Sequence, residues 1–169
     1  MGVVYKYFQI THDDRAFNPP KLVHDYSITN KNEPKDEILQ IYVKDSPEIE
    51  YIDFIDSPFL LVSDIFKKAV ALYNPGFDYR AVVLAERETK AQSIYWHIDL
   101  PTVDCFPAQG NAMARINKIV DTSKVRGLSF FKYQAAKNLL PLYIVRLDLA
   151  ESILRRSLVG FKLTGLEHM

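Results

Sequence analysis

Three residues in the middle of the chain have the types that thiol chemistry requires. His97 and Asp99 are two positions apart, so a strand over this segment would present both on one face, and Cys105 follows shortly after. A cysteine acts as a nucleophile when a histidine lies within hydrogen-bond reach and an oxyanion site is present. Spacing establishes neither condition. A small-molecule-binding or enzymatic domain with a pocket near His97, Asp99 and Cys105 is therefore the alternative interpretation.

The other histidines give weaker indications of chemistry. His12 stands beside Asp13 and Asp14, but neighbouring residues in a polar loop do not by themselves make a coordination geometry. His24 with Asp25 is no stronger, and His168 lies near the end of the chain. The sequence has no glycine-rich phosphate loop and no CxxC, HExxH or GxSxG motif. We therefore expect no metal, no cofactor and no enzymatic activity.

A run of carboxylates is the more promising binding feature. It comprises Asp45, Glu48, Glu50, Asp53 and Asp56. Paired carboxylates for acid and base work would need a pocket and a raised pKa, of which the sequence gives no sign. Attraction of a basic partner needs only exposure. We predict that these five residues form the binding surface.

One pattern of residues occurs twice along the chain. Residues 57–79 and 141–163 align without gaps at an offset of 84, which places Asp64 over Asp148 and Gly76-Phe77 over Gly160-Phe161. Each copy predicts a strand, an acidic cap, a short amphipathic helix, a Gly-Phe stop and a second strand. Ser63 or Asp64 caps the first helix, and Asp148 alone caps the second. The apolar positions 65, 66, 69 and 70 recur at 149, 150, 153 and 154, so we expect the two helices to bury equivalent faces.

The rest of the pattern predicts short strands. They are expected over 3–10, 38–43, 51–56, 79–85, 93–100, 116–120, 128–133 and 142–145. Residues 79–85 and 93–100 form a hairpin. Many short strands with two helices favour a single α+β domain over 1–169, with a largely antiparallel sheet. Residues 11–37 read as a long polar connection, either a recognition surface or a loop without a role.

Composition bounds the class of protein. The chain has 169 residues, of which 48% are hydrophobic and 25% charged, as in a soluble globular protein. No run of 18 apolar residues and no signal-peptide pattern occurs, and Cys105 is the single cysteine, so we expect a cytoplasmic protein away from membranes. The formal charge is zero but uneven: residues 1–56 carry a net −5 and residues 111–169 a net +6. The basic residues in 111–169 are not clustered tightly enough to indicate nucleic-acid binding.

Four stretches carry a family resemblance. They are SPFLLVSDIFKKAVALYNPGFDYRAVVL, SIYWHIDLPTVDCF, INKIVDTSKVRGLSFF and LYIVRLDLAESILRRSLVGFKLTGLE. The first contains the Ser-Asp cap and Pro-Gly-Phe stop, and the second leads from an aromatic strand to Val103-Asp104-Cys105. The likeness as a whole covers about residues 38–167 and leaves 1–37 unmatched. The chain resembles a bacterial family formerly known as a domain of unknown function and later grouped with the immunity proteins of polymorphic-toxin systems.

The resemblance implies a function and a partner. It implies a cytoplasmic immunity protein that binds a cognate protein toxin and neutralises it by occlusion. It brings no catalytic residue to this chain, and neither the resemblance nor the sequence sets an oligomeric state. Toxins that act on anionic targets tend to have basic active-site surfaces, so the acidic first third is where we expect the toxin to bind.

Overall fold

The protein has an α+β fold, as the sequence predicts. A computed structural model describes residues 6–23, 37–107 and 118–169. Within these ranges the chain forms nine strands and two helices, and the strands divide between two sheets in which antiparallel pairing dominates. Neither of these two helices combines the length and the apolar character needed to cross a membrane.

The first sheet has four strands, all antiparallel. Its spatial order is β7, β8, β1, β9. The strands are β1 (Tyr7–His12), β7 (Phe130–Tyr133), β8 (Leu142–Arg146) and β9 (Phe161–Leu166). The N-terminal strand thus lies inside a sheet whose other members all come from the C-terminal part of the chain, a long-range pairing that the strand pattern alone does not reveal.

The second sheet has five strands in the order β2, β5, β6, β4, β3. They are β2 (Leu39–Tyr42), β3 (Phe54–Ile55), β4 (Leu61–Val62), β5 (Tyr79–Ala85) and β6 (Gln92–Ile98). The predicted hairpin is confirmed, since β5 pairs with β6 along its whole length. Only β2 and β5 are parallel neighbours among the described strands.

The two repeated units have the same topology. The first unit runs β4, α1 (Asp64–Tyr73), β5, and the second runs β8, α2 (Leu147–Leu154), β9. In each unit the two strands are antiparallel to one shared neighbour, β6 in the first and β1 in the second. The strands of a unit are therefore parallel to each other with one strand inserted between them, a split β-α-β arrangement.

The main core lies between the two helices and one face of each sheet. Alternation along the strands sends successive residues to different cores: Phe130 enters the main core, whereas Phe131 joins a second cluster on the outer face of the first sheet. Val62 and Leu61 divide in the same way between the main core and a third cluster on the second sheet. Both sheets are thus apolar on both faces, which is why their strands lack a clean alternation in the sequence.

Several predicted strand boundaries are wrong. β1 extends two residues beyond the predicted end at Ile10, and its predicted first residues, 3–5, lie outside the described part of the chain. The predicted strand 51–56 contracts to Phe54–Ile55, and Ile52 packs in a different cluster from Phe54 because the backbone before β3 is irregular. Of the predicted strand 116–120, only 118–120 are described, and Val120 makes an isolated bridge to His168.

The first helix ends where the sequence predicts, at Asn74-Pro75-Gly76, but the conformation of Gly76 differs from its prediction. The Pro-Gly-Phe pattern predicts a left-handed Gly76, but the φ of this residue is not positive and the cap is Asn74. The Asn74 backbone N–H and side-chain amide both donate to the Val70 carbonyl, and its side-chain oxygen accepts from Ser129. Gly160, the aligned residue in the second unit, does have a positive φ of 91°. The two stops are therefore not equivalent.

The two helices do not bury equivalent faces either. In α1 the buried residues are Phe66, Ala69 and Val70, whereas Ile65 is 52% exposed. In α2 the residue aligned with Ile65 is Leu149, which is buried, and the residue aligned with Val70 is Leu154, which is exposed. The other two aligned pairs, Phe66 with Ala150 and Ala69 with Ile153, are buried in both helices. The stripes are thus in register at two of four positions, and a rotation of α2 about its own axis relative to α1 accounts for the other two.

The cap of the first helix is one of the two predicted residues, whereas the cap of the second differs from its prediction. Ser63 is the N-cap of α1, and its hydroxyl accepts the N–H of Phe66 at 3.3 Å. Asp148 is not the cap of α2, because that helix begins at Leu147 with Arg146 as its N-cap residue and no side-chain cap hydrogen bond. The Asp148 carboxylate accepts the N–H of Leu149 and binds the Arg146 guanidinium at 2.7 and 2.9 Å.

We predict that Ser63→Ala destabilises the protein by about 1 kcal/mol, because it removes the side-chain acceptor at the start of α1. Asp64→Ala should cost about half as much, since the closest contact of Asp64 is an exposed ion pair with Lys68. Urea denaturation of the two variants measures the difference. A larger loss for Asp64→Ala would show that the aspartate, as its position in the repeat indicates, is the true cap.

Candidate functional site

Three of the five predicted binding carboxylates hold the fold together. Asp53 accepts the Val159 N–H at 2.7 Å, and Asp56 accepts the His12 N–H at 2.8 Å. Glu50 accepts the Phe17 N–H at 3.0 Å. Each carboxylate thereby satisfies a backbone donor from a segment distant in sequence, which a loop without regular pairing needs. Asp53 and Asp56 are half-buried and have a structural role, whereas Glu50 remains exposed.

The remaining two carboxylates are free. Asp45 and Glu48 are exposed, and within the described residues neither side chain has a hydrogen-bond or ion-pair partner. Both lie on the connection between β2 and β3, where Glu48 has a left-handed backbone with φ 52°. Exposed Lys44 and Lys21, joined by a backbone hydrogen bond, lie at one end of this connection. The acidic run therefore has an accessible part around Asp45, Glu48 and Glu50.

Asn18 fixes this connection in one shape. Its side-chain amide donates to the Ser46 hydroxyl at 2.9 Å and to the Pro47 carbonyl at 2.8 Å, and its backbone carbonyl accepts the Glu50 N–H at 2.8 Å. A loop clamped by both side-chain and backbone hydrogen bonds loses little freedom when a partner binds it. The carboxylates are thus presented on a preformed surface.

An exposed aromatic residue is bonded through its backbone to one of these carboxylates. Phe17 is 84% exposed although it is large and apolar, and its backbone N–H is bonded to Glu50. We call Phe17, Asp45, Glu48 and Glu50 the acidic patch. Phe17 could not be singled out from the sequence, because its neighbours do not distinguish a lone phenylalanine in a polar segment from one that packs in the core.

The residues considered for thiol chemistry have separate environments. His97 lies on β6, opposite Leu61, and its Nδ1 donates to the Leu60 carbonyl at 2.9 Å. Burial lowers the pKa of the imidazole, so the ring is neutral at pH 7. Cys105 is fully buried in the apolar cluster that contains Phe106 and Phe131. Asp99 is exposed. A substrate could reach the thiol only if that cluster opened.

The two aspartates beside His12 are engaged in ion pairs. Arg15 makes a bidentate contact with the Asp13 carboxylate, at 2.9 Å for its closest atoms, and this lowers the pKa of Asp13 to about 2. Asp14 lies 3.3 Å from the Lys162 ammonium. Across residues 6–23, 37–107 and 118–169, no three His, Cys, Asp or Glu side chains are arranged to hold a metal ion. His24 and Asp25 lie outside these ranges.

A cleft opens between the two helices. It has a volume of about 320 Å³ and is lined by Leu72 and Tyr73 of α1 and by Asp148, Glu151, Ser152, Arg155 and Arg156 at α2. The sequence pattern assigns Leu72 and Tyr73 to the buried stripe of α1, but both are exposed. None of His97, Asp99 and Cys105 lines this cleft.

In comparisons with known proteins, no family model and no curated protein matched the chain. The candidate sites therefore rest on geometry and charge. The acidic patch offers free carboxylates and an aromatic ring, and the interhelical cleft offers apolar groups and charges of both signs.

Proposed function

We propose that this protein is an immunity protein that binds a basic surface of a cognate toxin through the acidic patch and blocks it by occlusion. The observation that carries the proposal is the 84% exposed Phe17, whose backbone N–H is bonded to the Glu50 carboxylate. Asp45 and Glu48 are exposed on the same clamped connection as Glu50. The family resemblance of residues 38–167 supports the same function.

The chemistry of the patch suits a protein partner. An exposed aromatic side chain can serve as a buried anchor in an interface, where a few such residues carry most of the binding energy. Carboxylates around it accelerate the approach of a basic partner and fix its orientation, and this contribution falls as salt screens the charges. A rim of acidic residues around an apolar centre is therefore what an inhibitor of a basic toxin needs.

We expect Phe17→Ala to weaken binding by roughly a hundredfold, as truncation of a central aromatic anchor does. The double variant Asp45→Lys, Glu48→Lys should slow association by about tenfold at low salt. These residues have no part in packing, so the variants should fold normally. The measurement is surface plasmon resonance against a candidate toxin encoded by an adjacent gene, with protection of toxin-expressing cells as the second readout.

Glu88→Lys is the matched control. Glu88 is exposed on the β5–β6 hairpin loop and makes no described contact, so this variant changes charge without touching the patch. Asp53 is unsuitable for such a test, because replacing it would remove the acceptor of the Val159 N–H. Unchanged binding and protection by a folded variant that combines Phe17→Ala with both lysine substitutions would refute the proposal.

A further inference from the structure

The cleft between α1 and α2 has an apolar wall that the fold leaves uncovered. Leu72, 70% exposed, and Tyr73 lie at the C-terminal end of α1 and form this wall. An exposed leucine alone needs no explanation, but here it lines a concave site beside a tyrosine and charged groups. The wall can accept one apolar side chain from outside.

The opposite wall carries two carboxylates and two guanidinium groups, of which Arg156 alone has no ion-pair partner among the described residues. Asp148 is neutralised by Arg146, which binds it through two hydrogen bonds. Glu151 lies 3.5 Å from Arg155, but that pair is exposed and contributes little. Arg156 is half-buried, and no described carboxylate lies within ion-pair distance of it. Among the described residues, the Arg156 guanidinium is therefore the lining charge that remains open to a carboxylate from outside.

The Arg156 side chain is also held in place. Its Nη1 donates to the carbonyl and to the hydroxyl of Ser152, one turn earlier in α2. This contact fixes the planar guanidinium at the cleft and leaves its remaining N–H groups without a described acceptor. Arginine in a fixed orientation matches a carboxylate well, since two parallel N–H groups can bind both oxygens.

We propose that this cleft is a second protein-docking site, which takes an acidic peptide segment carrying an apolar side chain. The carboxylate binds Arg156, and the apolar side chain packs against Leu72 and Tyr73. Its preference is opposite in sign to that of the acidic patch, and it shares no residue with it.

A defined peptide tests the site without the natural partner. The probe is the blocked pentapeptide Asp-Leu-Phe-Glu-Leu, and its neutral counterpart has Asn and Gln in place of the acids. Titration of ¹⁵N-labelled protein should shift the amide signals of Tyr73, Ser152 and Arg156 with the acidic peptide. The neutral peptide should bind roughly tenfold more weakly, and raising the salt concentration should narrow the difference.

Two variants separate the roles of the walls. Arg156→Gln should remove the preference for the acidic peptide, and Leu72→Ser should weaken both peptides by roughly tenfold. Arg126→Gln and Ile94→Ser are the controls, since both residues are exposed and neither lines the cleft. Leu72→Ser removes no buried contact, so it remains informative if Arg156→Gln disturbs the end of α2.

The proposal would be overturned if the two peptides bound equally, if neither bound, or if the shifts were confined to other surfaces. It would also be overturned if the Leu72→Ser variant bound the peptides as the wild type does. Because no residue of the acidic patch enters this experiment, its failure would leave the proposed immunity function untouched.

Discussion

Replacing Gly160 by alanine is expected to cost about 3 kcal/mol or more of the free energy of unfolding. A Cβ at this position would collide with the Cβ of Ile52 and would lie 2.9 Å from its Cγ2 and Cδ1. The φ of 91° adds strain, because side chains of L residues rarely tolerate that conformation. A loss of this size is a large part of the roughly 5 to 15 kcal/mol typical of folded domains.

The backbone around Gly160 cannot retreat without breaking other contacts. The Val159 N–H is bonded to the Asp53 carboxylate, and its carbonyl accepts the Asp53 N–H. The Gly160 carbonyl accepts the Asp13 N–H at 3.0 Å. A shift that relieved the clash with Ile52 would strain these bonds between the segments before β3, after β1 and before β9. The glycine is therefore required by long-range packing and not by a helix stop alone.

Alanine substitutions at two other glycines distinguish the effect of backbone strain from that of a steric collision. Gly127 has a φ of 78° but nothing within 4 Å of the position that a Cβ would take, so Gly127→Ala should lose about 1 kcal/mol through strain alone. Gly76 has neither constraint, and Gly76→Ala should be close to neutral. Urea denaturation of the three variants gives the comparison. If Gly160→Ala lost no more than Gly127→Ala, the close approach to Ile52 would be disproved.

Trimming Ile52 should not rescue Gly160→Ala. The nearest atom is the Ile52 Cβ, which alanine and valine at that position would retain. The sequence indicates that both Gly-Phe pairs follow helices, but not that the glycine of only one pair lies against another segment of the chain. That distinction depends on Ile52, which is far away along the chain, and no local pattern carries it.

Short-range signals in the sequence predict much of the fold. The hairpin of β5 and β6 follows from two β-rich runs with a charged turn, and α1 follows from the Ser63 cap and the apolar spacing of Phe66, Ala69 and Val70. The α+β class follows from the number of such elements. The rotation of each helix does not follow from these signals, since α1 and α2 meet different neighbours although their sequences share a pattern.

The candidate site is predictable only in part for the same reason. In the sequence, nothing distinguishes Asp53 and Asp56 from Asp45 and Glu48. In the structure, Asp53 and Asp56 accept the backbone N–H groups of Val159 and His12. Which carboxylate is free depends on the segment that packs against it. The predicted binding surface is therefore reduced to the carboxylates on the connection between β2 and β3, and the fold places Phe17 next to this connection.

Phe66→Ala is expected to cost about 3 to 5 kcal/mol, the range for a buried phenylalanine. Phe66 is fully buried, and its ring centroid lies 5.7 Å from that of Phe54, 6.0 Å from that of Phe161 and 6.4 Å from that of Phe130. Phe54 belongs to one sheet, and Phe161 and Phe130 to the other. The ring thus joins α1 to both sheets, and the cavity left by alanine has walls on separate elements that cannot collapse together.

Ile65→Ala is the matched control on the same helix. Ile65 is more than half exposed, so its truncation should cost about 0.5 kcal/mol or less, as surface substitutions do. The measurement is the free energy of unfolding in urea for both variants. The alignment of the two units places Ile65 over the buried Leu149 and predicts a large loss at this position instead. If Ile65→Ala lost as much free energy of unfolding as Phe66→Ala, α1 would turn its Ile65 side toward the core, as the repeat predicts. The inferred rotation of one helix relative to the other would then be wrong.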